Sequence, residues 1–187
     1  MIAALGGFGL LQSIPISTVL AIIGLVLVAH GSYEVFFKPN FFLKWRITKW
    51  LKGRDWAVTT DKNPQFYFII WAEDSDQRKI AITRSKDHKN ILTFNTRIRQ
   101  GENWETKLSG LTTSQRARLI EEMKIFFASK NLSYDGAVWP FDKLAAQTAL
   151  PLDSNLSAHL VDVKAKEIIF AIIGVRSIVR KAIEQQR

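Results

Sequence analysis

A chain of 187 residues with 26 Lys and Arg against 17 Asp and Glu carries a formal charge of +9, and it has no cysteine. The length allows one folded domain plus an appendage, and the missing cysteine excludes a disulfide framework, a thiolate metal site and a thiol nucleophile. Residues 1–37 hold only Glu34, residues 38–54 hold six cations and no acid, and the remainder holds 20 cations and 16 anions. The basicity is therefore one short band. A reader of nucleic acid would instead carry a basic face on its folded domain, so no nucleic-acid partner is expected.

Residues 1–13 form an apolar N-terminal cap. Gly6, Gly7 and Gly9 follow no strand and precede no Lys-Ser/Thr, so they do not make a phosphate loop. Residues 14–37 carry no charge before Glu34. Ser13 is placed to cap a helix and Pro15 to sit in its first turn, where a missing N–H costs nothing. A helix from Ile14 to Phe36 would span about 34 Å, enough to cross a bilayer. A cleaved signal peptide needs a basic leader, which this chain lacks. One retained transmembrane helix is the expectation.

Residues 38–54 interleave aromatic and basic side chains. Leu43, Ile47, Trp50 and Leu51 fall on one helical stripe suited to a protein core. Phe41 and Trp45 fall elsewhere, beside Lys49 and Lys52, as on a helix lying against anionic headgroups. Together with Tyr33, Phe36, Phe37, Lys38, Lys44 and Arg46, they predict a basic-aromatic membrane collar and an anionic lipid partner. Cations on one flank of a spanning helix place the N-terminus outside and residues 55–187 in the cytoplasm.

Those remaining residues read as α+β. Strands are expected at Trp56–Thr60, Phe66–Glu73, KIAITRS and ILTFNTRI, an antiparallel meander of about four strands packed with helices. FYFIIWAE is apolar on both faces, which predicts a central strand covered on both sides. GENWETKLSG is a loop. Thr112-x-x-Gln115 predicts a capping box opening a helix that buries Leu119, Ile120, Met123, Phe126 and Phe127, with Asn131 closing it. LSYDGAVWP predicts a short strand and turn, and Asp142–Ala149 a short helix. A long core helix is expected over Ser157–Gln185, with Val161, Ala165, Ile168, Ile172, Val175, Val179 and Ala182 as its seam. A dimer of two such helices is the other arrangement that this spacing admits, so a second copy of the chain stands among the partners.

The Trp50-Leu51 pair, the strand FYFIIW, the helix LTTSQRARLIEEMKIFF and LDSNLSAHL opening the last helix together resemble small secretion-chaperone-like α+β domains. The resemblance covers roughly Trp45–Gln185. It implies protein binding, often as dimers, and no known enzyme chemistry. The spanning helix departs from that mostly soluble pattern.

His30, His88 and His159 are scattered and form no HxxxH or HxxE pair, so no metal site is expected. There is no nucleophile elbow, Walker loop or kinase signature, hence no catalytic residue and no cofactor. Trp104 in a polar loop, and Trp139 with Phe141 around Pro140, are the candidate protein-interface anchors. The reading that follows is of a membrane-anchored, non-enzymatic protein-binding module. It would act in a chaperone-like way or assist assembly of a membrane-associated complex. The alternatives are a small permanent accessory subunit of such a complex, or a membrane-surface enzyme with an unrecognised site.

Overall fold

The computed structural model describes residues 15–32, 38–98, 104–139, 141, 143–153 and 155–185. The chain divides into two units, Met1–Leu43 and Lys44–Arg187.

In the first unit the uncharged sequence forms helix α1, Ile16–Ser32, of 17 residues. At ~1.5 Å per residue it reaches about 25 Å, short of the ~30 Å hydrocarbon layer. Among the described residues no helix is long and apolar enough to cross a membrane. The predicted transmembrane helix over 14–37 is thereby overturned. With it go the single-pass assignment and the inside–outside orientation that depended on it. The described helix is shorter than the uncharged run that suggested it. Its apolar side chains are exposed on all sides, from Val19 at 42% to Leu25 at 74%. The predicted cap at 1–13, and Tyr33, Phe36 and Phe37, lie outside the described residues.

Helix α2, Lys38–Lys52, is amphipathic in the manner its spacing predicts. Ile47 and Leu51 are buried, Leu43 and Trp50 are half-buried, and Phe41, Trp45 and Lys49 are exposed. The strands β1 (Ala57–Asp61), β2 (Phe66–Glu73), β3 (Lys79–Ser85) and β4 (Ile91–Arg97) follow. Next come the short helix α3 (Trp104–Leu108) and α4 (Thr113–Ser129). The chain ends with β5 (Ser133–Asp135), β6 (Ala145–Pro151) and the long helix α5 (Ala158–Glu184).

The strands make one antiparallel sheet of six in the order β1-β2-β3-β4-β6-β5. The predicted meander supplies four of them. The other two come from the region beyond α4, where Asp142–Ala149 was expected to be helical. There Ala146, Thr148 and Leu150 are buried while Gln147 and Ala149 are exposed. That two-residue period pairs β6 with β4 from Ile91↔Pro151 to Arg97↔Ala145. A ladder of that length overrides the helix propensity of an alanine-rich segment.

Alternation along the strands separates two faces. The inner face holds Phe68, Ile70, Ile82, Leu92 and Phe94, each 3% exposed or less. Helix α5 packs across β6, β4 and β3, and α4 packs on α5 and β5. The α5 seam is buried as predicted at Val161, Ala165, Ile168, Ile172, Val175 and Val179, while Ala182 at its end is half-buried. Helix α4 opens on the predicted capping box: Thr112 N donates to Gln115 Oε1 at 2.8 Å, and Gln115 N donates to Thr112 Oγ1 at 3.3 Å. It closes at Asn131, whose φ of 53° is left-handed and lets Leu132 N reach Phe127 O at 3.0 Å.

The outer face is open in part. Ala81 is shielded there between its cross-strand neighbours Trp71 and Asn95, and the paired Ile69 and Thr83 are buried, but Trp71 and Ile91 stand out at 41% and 36% exposure. The expectation that β2 is covered on both faces is therefore corrected at Trp71. Among the described residues of the second unit, helices α4 and α5 pack on one side of the sheet, and β2 is second from its edge.

Candidate functional site

A groove of mixed chemistry lies where β3 and β4 part. Their pairing covers Ala81↔Asn95 to Thr83↔Thr93, whereas β3 stays paired with β2 out to Lys79↔Glu73 and β4 with β6 out to Arg97↔Ala145. Beyond Ala81 the hydroxyl of Thr96 donates to the Lys79 carbonyl at 2.7 Å, a side chain standing where the ladder stops. The opening is a solvent-open groove of about 510 Å³.

Trp71 and Glu73 line it from β2, Gln77 and Arg78 from the following turn, and Lys79 from β3. Asn95, Thr96 and Arg97 come from β4, and Ile172 and Arg176 from α5. Four cations thus face one acid. Two of the cations are already matched: Arg78 Nε donates to Asp74 Oδ2 at 2.6 Å and its Nη2 to Asp76, and Lys79 pairs with Glu73 at 3.1 Å. The side chains of Arg97 and Arg176 have no hydrogen bond or ion pair among the described residues. The groove therefore offers two uncommitted guanidinium forks beside an exposed indole. Chemically, such a set can hold an anionic group next to an apolar or aromatic one.

A second polar cluster is structural. Asp162, 3% exposed in the first turns of α5, accepts from Arg54 Nη1 at 2.8 Å, Lys166 Nζ at 2.9 Å and Trp56 Nε1 at 3.3 Å. Burial pushes its carboxyl up. The hydrogen bonds from Lys166, Trp56 and Arg54, with the Lys166 charge, outweigh burial and hold it below the usual carboxylate range. The cluster ties the α2–β1 connection to α5. It faces no groove.

The predicted interface anchors are distributed as follows. Trp104 is half-buried at the start of α3, in what was expected to be loop. Trp139 is half-buried, with the Arg116 guanidinium 4.4 Å from its ring centroid and Phe141 meeting it edge-on at 5.6 Å. Phe141 is 1% exposed and belongs to the core, so it is not available as an interface anchor. Its φ of 72° turns the chain inward there.

Of the predicted collar, Lys38 opens α2, Phe41 is 65% and Trp45 53% exposed, and Lys44 is half-buried. Lys49 lies over the Trp45 ring at 5.2 Å and Lys52 is exposed. Arg46 is drawn to the folded unit instead, over Trp50 at 4.6 Å and with Nη2 donating to Leu156 O at 3.4 Å. Among the described residues no group of three or more His, Asp or Glu is placed to hold a metal ion.

Sequence reasoning nominated none of the groove residues as a site, Trp71 and Arg176 included. The alternation of ILTFNTRI sets Asn95 and Arg97 on the side opposite Leu92 and Phe94, so their outward direction is legible. The same alternation applied to Phe66–Glu73 sets Trp71 opposite Phe68 and Ile70, a signal hidden by the surrounding apolar run.

The fold is similar to the crystal structure of an uncharacterized protein from Methanothermobacter thermautotrophicus. The TM-score is 0.65 and the identity 13%, over 72% of this chain and 94% of that one. At that identity the likeness concerns the fold alone. No protein-family model matches the chain, and no curated protein does.

Proposed function

We propose that this chain is a protein-binding module that helps a protein complex assemble, using the open face of its sheet. The observation that carries the reading is Trp71, a large aromatic side chain held 41% exposed on a rigid strand. A tryptophan fixed by a sheet presents wide contact area with few rotamers to freeze, which suits it as an interface anchor. It stands beside a groove with uncommitted guanidinium groups rather than alone among solvated side chains.

The test is capture of partners by the full chain and by Trp71→Ala, with thermal unfolding measured on both. Loss of a specific partner at unchanged melting temperature is expected, equivalent to about 2 kcal/mol or more of binding energy. A partner retained by Trp71→Ala removes this face from the reading. Recovery at fixed stoichiometry marks a permanent subunit, and substoichiometric recovery marks an assembly factor.

A further inference from the structure

Resting on that protein-binding reading, we propose that the groove between the parted ends of β3 and β4 receives an acidic segment of the partner. Its carboxylates pair with Arg97 and Arg176, and a neighbouring apolar side chain lies against Trp71.

Charge comes first. The lining carries Arg78, Lys79, Arg97 and Arg176 against Glu73, so the groove attracts anions even after its internal pairs are formed. Those pairs divide the labour. Arg78 is fixed by Asp74, which also accepts from the backbone N–H of Asp76 at 3.0 Å and of Arg78 at 2.9 Å. Arg78 therefore stiffens the β2–β3 turn. Lys79 is neutralised by Glu73. Arg97 and Arg176 remain, both exposed and with side chains that have no partner among the described residues. A guanidinium presents a flat fork of donors that matches a planar carboxylate with two parallel hydrogen bonds.

Shape then favours a chain over a small ion. The groove is open to solvent, and its lining includes Trp71 and Asn95 from the outer sheet face. Within it Gln77 and Asn95 supply amide groups for backbone partners, and Ile172 supplies an apolar floor. Alternating acidic and apolar side chains on an extended segment would place charges and apolar groups on opposite sides of one backbone. A small anion needs only the guanidinium groups and would make no use of Trp71.

The experiment follows backbone amide shifts of the full chain by NMR with three probes, all at the same ionic strength. These are a capped peptide of alternating Glu and Leu, its Lys and Leu counterpart, and inorganic phosphate. The acidic peptide is expected to shift Trp71, Lys79, Asn95 and Arg97, with binding weakened by added salt. Replacing both arginines (Arg97→Gln with Arg176→Gln) should weaken it by about tenfold or more. Arg118→Gln, on the exposed side of α4 where Arg118 pairs with Glu122, should leave it unchanged. Equal binding of the basic peptide, or no effect of the double arginine change, overturns the proposal. Phosphate binding as tightly as the acidic peptide at the same amides also overturns it, leaving a simple anion site. If the double change keeps the captured partner that Trp71→Ala loses, the groove inference fails while the protein-binding reading stands.

Discussion

Asp162 shows how one buried carboxylate can join distant parts of this chain. It sits on α5, yet two of its three partners, Arg54 and Trp56, lie in the connection from α2 to β1. A buried ion is tolerated only when its lone pairs are satisfied, and here both oxygens accept. Asp162→Asn keeps the shape and removes the charge, so a loss of about 2–3 kcal/mol is expected at neutral pH. The pH dependence has a definite sign. The folded carboxyl is held below its ordinary value, so the unfolded chain takes up this proton first. The stabilisation is complete above the unfolded value of ~3.9 and is lost as pH falls through the lower folded value. Urea unfolding of both proteins from neutral to strongly acidic pH should show the gap constant at first and closing only in the acidic range. A gap that closes near neutrality would contradict the assigned partners.

At the scale of elements, the crossing of α4 on α5 depends on one missing side chain. A Cβ placed on Gly174 would come within 2.1 Å of Phe126 Cζ. The Phe126 ring therefore rests on α5 where only glycine leaves room for it. In an isolated helix Gly→Ala would gain about 1 kcal/mol. Here the new methyl must displace a ring, and overpacking of this kind costs about 1–3 kcal/mol. Gly174→Ala is expected to destabilise the native chain but to stabilise, or leave unchanged, a chain already carrying Phe126→Ala. A double-mutant cycle by chemical denaturation measures the coupling. Additive effects would mean that the ring does not occupy that place.

For the folded unit as a whole, strand order sets a gradient of stability. β3 and β4 lie inside the sheet, while β1 and the three-residue β5 form its edges. Inner strands open only with the core, whereas edges open locally. Native-state hydrogen exchange is expected to be slowest in the Ile80–Ile82 and Leu92–Phe94 segments. It should be faster in β1 and fastest in β5. Equal protection of β5 and β3 would argue against the order. The gradient also suits the proposed site, since Trp71, Asn95 and Arg97 stand on β2 and β4, strands inside the sheet rather than at its edges.

Much of this architecture is written in short stretches of sequence. KIAITRS and FYFIIWAE run to the same ends as β3 and β2, Thr112 and Gln115 cap α4, and the α5 seam is buried where its spacing puts it. These features depend on neighbours within a few residues, so pattern alone determines them. Other features are set by chain far away. Ala145–Pro151 is a strand because β4 and β5 lie on either side of it, which an alanine-rich segment does not announce. The apolar run at β2 suits a strand covered on one face or on both. The number of helical layers, a property of the whole unit, is what leaves Trp71 in solvent. An uncharged run near the N-terminus suggests a spanning helix by composition, but the length of the helix it forms is a separate matter. Arg97 could be read as facing outward from β4 alone. That it shares a groove with Arg176 was decided only when α5 crossed the sheet at the point where β3 and β4 separate, because a site assembled from remote segments has no local period to betray it.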